Sequence, residues 1–220
     1  MLWGLSAAAA LIYWVLSLSE GHSWLRSGVK GLAVAPLAIL ALTQGAGLLA
    51  LALILCSLGD VILSRPGERA FLGGLIAFAL GHLAWITVIF AVAGPSVEVL
   101  LSPLRLLLLI ALLALAVILA RLMLPRAGDL QLPVTGYIAI IMLMGTTALA
   151  APGQLFLAGA VLFVASDALL GLQTFVLEKG TGRERLANAL IWPLYWGAIV
   201  LLTLGALGGA AGLPSAPASG

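Results

Sequence analysis

Charge is what this chain has least of. Only 8% of its 220 residues are charged, ten basic and eight acidic. The hydrophobic share is 63% and the mean hydropathy +1.24, more than a soluble core of this size needs. Helices in a bilayer, by contrast, must be apolar along their whole length. Polar–apolar alternation is also missing, which argues against a membrane barrel. A single cysteine, Cys56, excludes an internal disulfide, and its apolar neighbours read as those of an inert thiol. Two histidines, one of them (His22) in a loop, are too few for a three-histidine zinc site. There is no glycine-rich phosphate loop and no G-x-S-x-G elbow. The net charge of +2 comes from basic residues scattered in loops, which is no nucleic-acid footprint. The N-terminal apolar run lacks the basic flank of a cleaved signal and reads as a retained membrane helix.

What remains is continuous Leu/Ala/Val/Ile sequence. It predicts an all-α membrane protein, a bundle of eight transmembrane helices over roughly 2–18, 29–43, 46–63, 70–93, 102–122, 132–150, 153–177 and 187–208. Residues 1–208 form one domain in this reading, and 209–220 a flexible tail rich in small residues and proline. The second helix is short and begins near Gly28, with Lys30 at its end reaching for the interface. Pro36 and Pro193 fall inside helices; Pro193 should kink the last one, with a neighbour satisfying the freed carbonyl. Nine of the ten basic residues fall in the odd-numbered loops, and only Arg105 in an even one. The positive-inside rule then places both termini on the non-cytoplasmic side. The expected location is the inner (plasma) membrane of a bacterium, crossed many times.

Two acidic residues break the apolar pattern. Asp60 in LILCSLGDVIL and Asp167 in VLFVASDALLGL lie inside long apolar runs. A carboxylate at membrane depth is costly unless paired, hydrated or neutralised, so it marks a candidate site. Asp60 is 15 residues past Gly45 and Asp167 is 14 past Gly153. At about 1.5 Å per residue both lie roughly 21–23 Å from the outer end, at one depth in the cytoplasmic half. The segments Gly59–Leu63 and Ser166–Leu170 echo each other weakly, four helices apart. A parallel four-plus-four repeat would bring the two aspartates together.

Candidate partners at that depth are His82, Tyr195, Lys30, Ser57, Ser166 and Asn188. Each also has a plain structural reading. An intramembrane histidine serves as a helix–helix hydrogen-bond partner. Trp192 and Trp196 beside Tyr195 read as packing aromatics. Serines bond the carbonyl one turn back. Lys30 can be a topology charge, and the aspartates can form a polar clasp.

The stretch LCSLGDVILSRPGERAFLGGLIAFALGHLAWI resembles the first conserved segment of the YhhN-like, or lysoplasmalogenase, membrane family. LAGAVLFVASDALLGLQTFV resembles its second, "SD"-containing segment, and IWPLYWGAIVLL its final helix, without the glutamine of that motif. Lys30 ahead of Pro36 resembles a lysine-led second helix. The resemblance spans nearly the whole chain, including the eight-helix layout. It implies hydrolysis of the vinyl ether bond of lysoplasmalogens to a fatty aldehyde and a glycerophospho-alcohol. The family's two aspartates map onto Asp60 and Asp167. The implied partners are a lysophospholipid substrate and membrane lipids, with no metal or organic cofactor.

Vinyl ether hydrolysis needs an acid and a nearby negative charge. Two buried carboxylates supply both, one protonated and one ionised, and a pair acting as a unit leaves open which is which. His82 or Tyr195 could position water, and Lys30, Arg65 or Arg69 could meet the phosphate. Two rivals use the same residues. A proton-coupled transporter would use the aspartates as relays, yet matched helix breaks are absent. An intramembrane aspartyl protease would show G-x-G-D, but position 57 is serine.

Overall fold

The computed structural model describes residues 1–18, 21 and 23–210; His22 and residues 211–220 of the expected tail lie outside them. No strand occurs among the described residues. The helices are α1 (Leu2–Ser17), α2 (Trp24–Leu32), α3 (Ala35–Thr43), α4 (Gly47–Leu63), α5 (Glu68–Ala93), α6 (Val97–Leu100), α7 (Pro103–Met123), α8 (Gln131–Ala150), α9 (Gln154–Phe175) and α10 (Gly182–Ala210). Among the described residues, six segments are long and apolar enough to cross a membrane: α2 with α3, α5, α7, α8, α9 and α10. The helices α1 and α4 are apolar but only 16 and 17 residues long. At about 1.5 Å per residue they fall a few ångströms short of a hydrocarbon core about 30 Å thick.

Two expected helices differ from the observed ones. The segment expected as one helix over 29–43 is two, broken at Ala33–Val34. Pro36 sits in the first turn of α3, where its missing N–H costs nothing; deeper in a helix its ring would strike the carbonyl four residues back. At the break Leu37 N–H bonds Val34 O, and the bypassed Ala33 carbonyl accepts from Ser6 Oγ on α1 at 2.5 Å. The helix α2 also starts at Trp24, earlier than expected, because Ser23 caps it through Arg26 N–H. The last helix starts at Gly182 rather than 187. Thr181 Oγ1 accepts from Glu184 N–H at 3.3 Å, the T-x-x-E capping pattern, so basic residues at 183 and 185 lie inside the helix.

Pro193 is accommodated within α10. It cannot bond the Ala189 carbonyl one turn back, and Trp14 Nε1 of α1 donates to that carbonyl at 2.9 Å. A second buried device lies at the other end of the bundle. Arg105 of α7, 8% exposed, donates to the carbonyls of Leu149, Ala151 and Gly153 at 2.6, 2.5 and 2.9 Å. It satisfies the orphan carbonyls at the end of α8 and pins the turn into α9.

Two helical hairpins form the centre. The pairs α4–α5 and α9–α10 pack closely because small residues let them. A Cβ on Gly59 would lie 2.8 Å from the Phe78 ring, and one on Gly159 would lie 2.8 Å from Leu202. Between the hairpins sits the main core, with Trp85, Phe163, Met144 and Leu202 fully buried. Each hairpin carries one intramembrane aspartate on its first helix.

Candidate active site

Asp60 lies on the fourth turn of α4, three residues from its end, and is 1% exposed. Tyr195 Oη of α10 donates to its Oδ2 at 2.7 Å. Lys30 Nζ of α2 stands 3.2 Å from its Oδ1 as an ion pair, off the direction of a hydrogen bond. The Lys30 ammonium also lies 5.7 and 5.8 Å from the ring centres of Tyr13 and Trp192, within cation–π range. The break between α2 and α3 sets this up. It frees α2 to lean on α4, where Ser57 Oγ donates to Gly31 O at 3.1 Å and brings Lys30 over Asp60.

Asp167 lies on α9 with its side chain 11% exposed. Its Oδ2 accepts from Tyr137 Oη of α8 at 2.5 Å and lies 3.3 Å from His82 Nε2 of α5. Tyr137 Oη is itself 3.4 Å from His82 Nε2, so the three groups form a closed triangle. His82 is fully buried and its Nδ1 has no partner. Among the described residues, no lysine or arginine forms an ion pair with Asp167.

The partners cross over. Asp60 of the first hairpin bonds α10 of the second, and Asp167 of the second meets α5 of the first. Phe163 stands between the two arrangements, edge-on to His82 at 4.6 Å and to Tyr195 at 5.4 Å. The carboxylates therefore do not bond each other. They line one cavity of about 770 Å³, which also touches Lys30, Tyr195 and Trp192. The cavity reaches the α1–α2 and α9–α10 connections, where Arg26, Lys179 and Arg185 are part of its wall. Arg26 there bonds the carbonyls of Gly21 and Leu16.

The other residues singled out by sequence are placed as follows. Ser166 Oγ donates to Ile191 O at 3.0 Å and ties α9 to α10. Asn188 Nδ2 donates to Ser17 O at 2.8 Å and ties α10 to α1. Both face the cavity, but their hydrogen bonds go to backbone. Trp196 Nε1 donates to Ser6 Oγ at 3.2 Å, in keeping with a packing role. Trp192 does more than pack: it lines the cavity beside Lys30. Tyr137 is the residue that sequence reading missed. The one available signal was depth, since it lies six residues into a helix that starts at the basic end. Among the described residues no three His, Cys, Asp or Glu side chains cluster as metal ligands.

A model of the YhhN family matches residues 25–206. The chain belongs to the YhhN family. It is 34% identical over 197 residues to a protein of Mycobacterium bovis named lysoplasmalogenase, covering 84% of this chain and 71% of that one. A Mycobacterium tuberculosis protein of the same name matches equally well. The human lysoplasmalogenase TMEM86B is 32% identical over 203 residues, covering 89% of this chain and 82% of the human one. No solved structure matches the chain significantly.

Proposed function

We propose that this multi-pass membrane protein hydrolyses the vinyl ether bond of lysoplasmalogen-type lysophospholipids, using Asp60 and Asp167. Membership of a family whose curated relatives are named lysoplasmalogenase makes it a hydrolase. The observation that carries the assignment of residues is that both carboxylates line one cavity whose basic-end wall holds Arg26, Lys179 and Arg185 beside a single acid, Glu184. A lysolipid has one polar end and one apolar chain, and a cavity sunk from the basic loops into an apolar bundle suits such a molecule.

The chemistry follows from the substrate. A carboxylic acid delivers its proton to the vinyl carbon distal to the ether oxygen, and the π pair forms the new C–H bond. The cation left behind is shared with the ether oxygen and stabilised by the remaining carboxylate. Water adds at the carbon bearing oxygen and loses a proton to a carboxylate. The hemiacetal then collapses, and its hydroxyl proton passes to the leaving glycerol oxygen. The sum is vinyl ether plus water giving aldehyde plus alcohol, with the enzyme's proton inventory restored.

Topology belongs to the same proposal. Counting α2 with α3 as one column and leaving out the short α6 gives eight columns. With the basic loops cytoplasmic, both termini lie outside and the cavity opens inward. The site would then take its substrate from the cytoplasmic leaflet of a bacterial inner membrane, within a single domain over 1–208.

The test is purified protein in detergent with a lysophospholipid panel, vinyl ether against ester against alkyl ether, with mass detection of products. The vinyl ether alone should yield aldehyde. Asp60→Asn and Asp167→Asn should each lose about 10²–10⁴-fold of that activity while remaining folded. Full activity in either variant sinks the two-carboxylate mechanism; ester cleavage instead of aldehyde release sinks the vinyl ether reading.

A further inference from the structure

The cavity at the basic end carries the charged side chains that suit a headgroup. A second, apolar cleft adjoins it. This cleft lies between α5, α7, α8 and α9, with walls that include Phe71, Leu75, Leu119, Met123, Val134 and Ile138. Tyr137 and Asp167 bear its only polar side-chain atoms. Leu63, Phe78, Asp167 and Leu170 line both spaces, so the two adjoin there. Asp60 borders only the polar one.

The outer wall of the cleft is the loosest part of the bundle. In its most apolar stretch α7 is 11% buried, against 39–44% for the other five candidate spans. Its basic-side end packs in a small cluster of its own, Leu119 and Met123 with Ala127 and Val134, apart from the main core. Its exposed side chains between Leu104 and Ile118, such as Leu107, Ile110, Leu113 and Val117, are all apolar and would face lipid, and the exposed Arg121 marks its basic end. The open volume of the cleft is about 50 Å³. That is room for little more than one or two waters at about 30 Å³ each, so an occupant must part the wall. Met123 is the side chain suited to yielding, being unbranched and adaptable.

We infer that the substrate's hydrocarbon chain slips in beside α7 and lies in this cleft, with its first two carbons against Asp167. The inference rests on the vinyl ether reading above. The chain is already in an apolar medium when it sits in the bilayer, so the cleft sets position more than affinity. Position is what matters here. The carbon that takes the proton lies on the chain side of the ether oxygen, and Asp167 is the carboxylate at the junction of chain and headgroup spaces. Asp167 is then the proton donor, and Asp60 with Lys30 faces the glycerol side.

Two measurements test this. In the first, an alkyl-ether lysophospholipid, which cannot be cleaved, carries a diazirine near its chain end and is photolysed on the full chain in detergent. Labels displaced by unlabelled lysolipid should map to 119–142 on α7 and α8. Displaceable labels on α1 or α10, or none at all, overturn the proposal. In the second, Gly171→Leu fills the cleft, since a Cβ there would lie 2.5 Å from Met123 Cε. The ratio of hydrolysis of 16-carbon to 4-carbon alkenyl chains should fall at least tenfold, and Met123→Ala in the same background should restore it. An unchanged ratio overturns the proposal even if overall activity drops through poor folding. A wild-type protein that releases no aldehyde defeats the vinyl ether reading instead, while the cross-linking still judges the cleft.

Discussion

Asp60 and Asp167 are the same residue, each on the first helix of its hairpin, yet their surroundings differ in kind. Asp60 is buried at 1% exposure and matched by a cation, Lys30, as well as by Tyr195. Asp167 is more open, at 11% for its side chain, and meets only a tyrosine and a histidine. An ion pair fixes a negative charge in place. A carboxyl held by Tyr137 and His82, with one oxygen left for the cavity, can exchange a proton with a substrate. Under the proposed hydrolysis, the difference would let one scaffold separate the two jobs that acid hydrolysis needs, a stable charge and a mobile proton.

That comparison is sharpest at the lysine. Lys30→Met should leave Asp60 buried without its cation, and breaking such a pair costs about 3–5 kcal/mol. Thermal unfolding in detergent should shift down and aldehyde release should fall at least about 10²-fold, the size of a lost electrostatic stabiliser. Adding Asp60→Asn should recover the stability and none of the activity. If the single variant is as stable and as active as the wild type, the two aspartates are not different in kind. The tyrosines come next. Each donates to a carboxyl oxygen, and a hydrogen bond to that group in its ionised form is worth about 1.5–3 kcal/mol, or about 10–150-fold. Tyr137→Phe should lower kcat by that amount if Asp167 is the proton donor, because it removes the bond that holds that carboxyl. Tyr195→Phe should lower it less, since Lys30 still holds Asp60; the reverse order in steady-state rates would exchange the roles of the two sites. The smallest effect on activity belongs to Arg105, at the far end of the bundle. Arg105→Leu strands three carbonyls, and about 1–3 kcal/mol is at stake for each buried group left unpaired. Unfolding should occur at lower temperature with kcat unchanged at permissive temperature, and a lowered kcat there would mean that the two ends of the bundle are coupled.

Much of this was legible in the sequence, and the limits are instructive. Hydropathy marks Asp60 and Asp167 because the cost of burying a carboxylate belongs to the residue and its own flanks. Lys30, His82 and Tyr195 were visible as polar groups at similar depth. Which aspartate each would serve was not, since spacing along a chain says nothing about the crossing of helices between hairpins. Tyr137 shows the same limit. It sits in an ordinary apolar run, and only the packing of α8 against α5 and α9 gives it a role. Local stops and starts were partly misread where short-range chemistry outweighed the apolar pattern: Pro36 splits a span, and Thr181 with Glu184 begins a helix among charges.

The sequence by itself determined the solvent, the all-helical class and the two costly carboxylates, because each of these depends on composition and on neighbours within a few residues. The pairing of Asp60 with Lys30 and Tyr195, the pairing of Asp167 with Tyr137 and His82, and the meeting of a polar cavity with an apolar cleft were decided only by the tertiary structure. These depend on distances between helices far apart in the chain, and such distances exist only once glycines, tryptophans and serines have locked the helices against one another.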